Sequence, residues 1–202
     1  MRTIRLILIF IVGGLLTYLT YKFKYQSFFF DAVIWIGLIF LGSILTVWTI
    51  FTDVKLYGTE KRIKNFTLSF IALVFISVIL TTELTINHQF DKPTLLKVFY
   101  DGDFNGTGID FKTDRTYILD NSAIGLSNYY YGTYTIDGNK ITLDKDKIDN
   151  IPNLKHLEII KKDSLLLPDE KQSDRYLYQV DENGKVINNS GKYRVVIDNR
   201  KK

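Results

Sequence analysis

The chain has 202 residues, no cysteine, two histidines and a formal net charge of +4. The lack of cysteine excludes disulfides, thiolate catalysis and cysteine-based metal sites. The basic excess sits in residues 1–82, with eight Lys/Arg against three Asp/Glu, while residues 83–202 carry 18 against 19; charges flanking membrane helices account for it, and nucleic acid is not indicated as a partner.

The first apolar run is Leu6 to Tyr21, between Arg5 and Lys22. With Ile4 and the aromatic rim of Tyr18, Tyr21 and Tyr25 it approaches the ~20 residues that cross a hydrocarbon core. Arg2 and Arg5 before an apolar stretch also fit a secretory leader, but TYLTYKFKY offers no small-residue cleavage site, so a retained span is expected. The second run, Phe28 to Phe51, contains Trp35 and Trp48, and the third extends from Phe66 to Thr82. A helix in a soluble core would show a polar stripe, whereas these runs are apolar all round. Three transmembrane helices are therefore expected, at about 4–21, 28–51 and 66–82, with the lipid bilayer as their partner.

Positive charge orients them. Arg2, Arg5, Lys55, Lys61, Arg62 and Lys64 lie on one side, and only Lys22 and Lys24 on the other. The side richer in Lys/Arg is the cytoplasmic one. A cytoplasmic N-terminus and an extracytoplasmic C-terminal domain follow, and cleavage after the first run would leave that side unchanged. Asp31 is the acidic residue within the three runs. It falls in the first turn of the second, where a helix N-terminus and interfacial water suit a carboxylate. An interfacial role is expected of it, with proton or ion handling as the sharper alternative. Gly13, Gly14, Gly37 and Gly42 are candidate points of close helix contact, although none forms a G-x-x-x-G pair.

Residues 83–93 are expected to be a short juxtamembrane linker that keeps the next domain near the bilayer surface. From 94 to 202 short β-prone runs alternate with turn residues: Leu95–Tyr100, Thr107–Lys112, Arg115–Asp120, Tyr129–Ile136, Lys140–Asp144, His156–Lys161, Ser164–Leu167, Tyr176–Val180 and Tyr193–Asp198. Strands at this spacing indicate an all-β antiparallel sandwich or barrel. Asp137-Gly138-Asn139 and Asn183-Gly184 supply the positive φ that tight hairpins need. Alternation places Tyr117 with Leu119, Tyr130, Gly132, Tyr134 and Ile136 together, Ile141 with Leu143, Tyr176, Tyr178 and Val180 together, and Tyr193, Val195 and Ile197 together on inner faces. These sets would fill a core or, alternatively, line a cavity for one apolar ligand.

GTGIDFKTDRTY, from Gly106, and YYYGTYTIDGNKITL, ending at Leu143, resemble the strand pattern of small lipocalin-like β-domains, G-x-x-x-x-F-x-x-D-x-T-Y followed by G-x-Y-x-I-x-G-N-x-I-x-L. The match covers residues 98–160, and the whole layout resembles small uncharacterised bacterial membrane proteins with such a domain. The resemblance implies a β-barrel and carries over no ligand pocket. Arg115 departs from it, standing where a turn glycine is usual.

Asp101, Asp103 and Asn105, with Gly106, match the first half of a calcium loop; position 12 is Lys112 instead of a bidentate Glu, so a turn between strands is the plainer reading. His88 and His156 have no ligand spacing. Gly125-Leu126-Ser127-Asn128-Tyr129 lacks the second glycine of a nucleophile elbow. Asp144, Asp146 and Asp149 read as solvated turn charges, and Arg200, Lys201 and Lys202 as a frayed basic end. No catalytic constellation and no cofactor motif is proposed by these residues. The leading expectation is a non-enzymatic, membrane-anchored binding module whose β-domain meets a protein, an envelope component or a small apolar ligand. The alternatives are a functional helical half, of immunity or complex-accessory type, and a lipid carrier or enzyme.

Overall fold

The computed structural model describes residues 2–161, 175–187 and 191–200, and the chain divides into two compact units, Met1–Gln89 and Phe90–Lys202. The expected strand Ser164–Leu167 lies outside the described residues.

The first unit contains three helices long and apolar enough to cross a membrane. They are α1 (Arg2–Lys22), α2 (Phe29–Glu60) and α3 (Thr67–Phe90), with a short strand β1 (Gln26–Phe28) before α2 and a 3₁₀ turn (Ile63–Phe66) before α3. At 1.5 Å per residue they are about 32, 48 and 36 Å long, against a hydrocarbon core of about 30 Å. Although α1 is apolar all round, packing gives it a buried stripe: Arg5, Ile9, Val12, Leu16 and Leu19 recur at helical spacing. Ile9, Val12 and Leu16 meet Leu45 of α2 and Leu68 and Ala72 of α3 in one cluster.

Two helices outrun their apolar runs. α2 continues nine residues past Phe51 because nothing breaks it before Gly58; it ends where Lys61 adopts φ +54° and returns its N–H to the Tyr57 carbonyl. α3 continues through most of the expected linker, since Thr82–Phe90 holds neither Gly nor Pro and the first helix-stopping signal is Pro93. The non-helical connection is residues 91–93.

The second unit is a closed antiparallel barrel of eight strands: β2 (Thr94–Gly102), β3 (Asn105–Lys112), β4 (Thr116–Ala123), β5 (Leu126–Asp137), β6 (Lys140–Leu143), β7 (His156–Lys161), β8 (Arg175–Gln179) and β9 (Lys192–Asp198). Each strand pairs with the next in sequence, and β9 returns to β2. β5 makes the corner: Leu126–Thr133 pairs with β4, and Tyr134–Asp137 with β6. Gly132 sits at that bend, because a Cβ there would come within 2.5 Å of both the Tyr117 hydroxyl and an Asp144 oxygen.

An eight-stranded barrel is just wide enough for side chains to fill. Leu96, Val98, Ile109, Phe111, Tyr117, Leu119, Tyr134, Ile141, Leu143, Leu157, Ile159, Leu177 and Tyr193 fill this one. Most inner-face expectations hold, and two need correction. On β8 it is Leu177 that points inward, opposite Ile159 and Tyr193, while Tyr176 and Tyr178 lie on the other face. The core takes the aliphatic side chain, and the Tyr176 ring instead lies 3.9 Å from the Lys192 ammonium. On β9 a register shift between Lys97 and Val98 of β2 turns Ile197 outward, so only Tyr193 and Val195 reach the core.

Candidate functional site

The barrel has two differently built ends. At the end where the chain enters, β8 and β9 bring Arg175 and Asp198 together, with Nη1 to Oδ2 at 2.5 Å. Arg200 approaches the same carboxylate through Nε and Nη2, each at 2.9 Å, and donates a further bond to the Gly138 carbonyl. The Arg200 hydrogen bond, supported by Arg175, holds the Asp198 carboxyl down at about 2. Arg200 is therefore a fixed part of the structure rather than a frayed terminus, because two acceptors hold its guanidinium. Nearby, the Tyr134 hydroxyl donates to the Lys112 carbonyl at 2.7 Å.

At the opposite end the hairpins β2–β3 and β4–β5 lie side by side, since Asn105 pairs with Ala123. Among the described residues, their tips carry the two most exposed large apolar side chains of the barrel, Phe104 at 74% and Ile124 at 78%. Behind the tips, residues 144–155 fold over the barrel and bury Ile148 and Leu154 in its core. Asn121 fastens this cover through Nδ2 to Asp149 at 2.7 Å, and the Tyr117 hydroxyl donates to Asp144 at 3.0 Å. Burial and the Asp144 carboxylate together push the Tyr117 phenol well above its ordinary range. Asp144 and Asp149 thus serve as acceptors for barrel side chains instead of standing as free turn charges. Burial pushes Tyr193 up to about 12. This end of the barrel carries its exposed apolar tips, Phe104 and Ile124, over a core in which Tyr117 and Tyr193 are buried.

The calcium-loop residues form one of these tips. Asp101 Oδ1 accepts the Asp103 N–H at 3.2 Å, and Phe104 N–H closes a three-residue turn onto the Gly102 carbonyl. Asp103 holds φ +65° there. Among the described residues no group of three or more His, Asp or Glu side chains converges in the manner of a metal site. His88 lies near the end of α3 and His156 opens β7, while Ser127 lies within β5. Arg115 takes φ +70°, so the turn keeps the glycine-like conformation with an arginine in it.

Within the helical unit, Asp31 is paired with Lys22, Nζ to Oδ2 at 2.5 Å, so the last residue of α1 answers it. A second acidic residue, which hydropathy alone passes over, is far more enclosed. Asp53 of α2 is 1% exposed and Arg5 of α1 3%, with Nη1 to Oδ1 at 3.3 Å. Asp53 Oδ2 also accepts the Ser69 hydroxyl at 2.8 Å and the Ser69 N–H at 3.1 Å. That N–H belongs to the first turn of α3, whose positive end favours a carboxylate. Among the described residues, Thr49, one turn before Asp53, has a buried hydroxyl without a partner. The three helices are thus tied together at one end by a charge-assisted polar network. Of the four glycines, Gly13 and Gly42 mark close contacts, where a Cβ would meet Phe75 at 2.5 Å and Val12 at 3.3 Å; Gly14 and Gly37 face open space.

No family model, no curated protein and no solved structure matches the chain.

Proposed function

We propose that the protein is a membrane-anchored binding module: three helical spans hold a rigid, filled β-barrel on the extracytoplasmic side, and the hairpin-tip end of the barrel meets a partner. One observation carries this reading. Phe104 and Ile124, on adjacent hairpins, are both more than 70% exposed, where scattered surface apolar residues are ordinarily isolated. Large apolar and aromatic side chains surrounded by polar groups are what interface centres are made of. The aspartates at 101 and 103 beside these tips favour a protein partner with cationic groups over an anionic lipid surface. The orientation rests on the distribution of Lys and Arg around the spans.

Photocrosslinking in intact cells tests it. A benzoylphenylalanine introduced in place of Phe104 should give one discrete adduct that is lost when Ile124→Ser is added. The same probe at the exposed outer position Thr135 should give none. Equal adducts from both positions, or none from either, would contradict the reading.

A second reading makes the helical half itself functional. The enclosed Arg5–Asp53–Ser69 network favours it, because ionisable groups buried among membrane helices are expensive and usually serve a purpose.

A further inference from the structure

The helical unit holds an apolar crevice of about 400 Å³ between α1, α2 and α3. Val12, Trp35, Gly42, Ser43, Ala72 and Ile76 are among the residues that line it. Small residues keep it open, and Gly13 is the tightest of them, since a Cβ there would come within 2.5 Å of Phe75, whereas one on Gly42 would touch Val12 at 3.3 Å. Water gains little there, because the Ser43 hydroxyl is committed to the Ile39 carbonyl at 2.8 Å and most other walls are hydrocarbon. Its rim residues Ile39, Val47, Ile76 and Leu80 are exposed, so the crevice opens sideways onto the outer surface of the helices.

We propose that this crevice binds a single hydrocarbon chain of a bilayer lipid. The inference rests on reading the three helices as membrane spans. In a bilayer the outer helix surface is bathed in acyl chains, and the crevice is continuous with that surface. The volume lies in the range of small-ligand sites, which form between the helices of bundles. On α2 the lining residues run from Trp35 to Val47, about 18 Å of helix, which gives an elongated site suited to a chain rather than a compact ligand.

The two tryptophans make the test direct. Trp35 lines the crevice, whereas Trp48 is exposed on the outside of α2. The full chain carrying Trp48→Phe, in detergent, is titrated with dibrominated phosphatidylcholine, whose bromines quench indole on contact. Trp35 quenching should saturate. It should need at least fivefold more lipid when Ser43→Phe or Ile76→Phe fills the crevice from its exposed rim. Ile36→Phe, on an exposed position outside it, should leave the titration unchanged. Quenching that rises without saturation, or that is the same in all three variants, overturns the proposal. Circular dichroism identifies a variant that fails to fold, and the other wall variant then decides. In vesicles made wholly of the brominated lipid, Trp48 in a Trp35→Phe chain reports on the spans alone. Quenching there beside a failure at Trp35 removes the crevice and keeps the spans, while no quenching there removes both.

Discussion

Asp198 shows how a single carboxylate contributes to the acid sensitivity of the barrel. Its ordinary value is 3.8 and its folded value is about 2, because Arg200 and Arg175 hold the charged form. The unfolded chain therefore takes up this proton first as pH falls. The stabilisation is complete above about pH 4 and is lost between about 4 and 2. Allowing for solvent screening, it amounts to about 1 kcal/mol. Replacing Arg200 with Gln should lower the thermal midpoint at pH 6 and flatten its slope between pH 4 and 2; an unchanged slope would show that Arg200 does not hold the carboxylate. The sequence could not disclose this role. Arg200 lies next to two terminal lysines, and its partners are two residues and 62 residues away. Asp53 was hidden for a related reason. It stands two positions beyond the apolar run, where a charge reads as a flank, and Arg5 reads as an orienting charge. Only the crossing of α1, α2 and α3 turns the two flanks into an enclosed pair.

The strands were the most legible of the elements. Alternation in Tyr117–Leu119 and Ile141–Leu143 reads directly as an inner face, and the Asp-Gly and Asn-Gly turns at 137–139 and 183–184 punctuate the strands. β8 misled because Tyr, Leu and Tyr alternate, so either face could have been the core and aliphatic packing decided. The bulge on β9 left no residue-type signal, because Val195, Val196 and Ile197 are equally suited to either face. Helix ends were less legible than helix existence, since α2 and α3 continue until a left-handed residue or a proline stops them. The element-scale consequence concerns the helix crossing. Asp53→Ala strands the Arg5 guanidinium and removes the acceptor at the α3 N-terminus. It should destabilise the helical unit by about 3–5 kcal/mol, whereas Asp53→Asn, which can still accept from Ser69, should cost less. Unfolding of the full chain in mild detergent, followed by helix ellipticity, measures both. Equal and small effects would mean that the network is solvated rather than enclosed.

At the scale of the whole molecule, the two units divide the work. In the barrel, Arg175, Asp198 and Arg200 form an ion-pair cluster at one end, and Ile148 and Leu154 join the core at the other. The helical unit keeps an open crevice and an enclosed ion pair. The charges flanking the three helices bear on the orientation of the chain. Arg5 is spent on Asp53, yet Arg2, Lys55, Lys61, Arg62 and Lys64 still outnumber Lys22 and Lys24, which are themselves paired with Asp31 and Glu83. The bias for a cytoplasmic N-terminus therefore survives the pairing. Because the chain has no cysteine, a single introduced thiol reports its own side of the membrane. The decisive measurement is labelling of intact cells with a membrane-impermeant maleimide at two exposed positions, Ile124→Cys on the barrel tip and Ile63→Cys between α2 and α3. The account predicts that Ile124→Cys labels at once and Ile63→Cys only after permeabilisation. The reverse pattern, or immediate labelling of both, would contradict it.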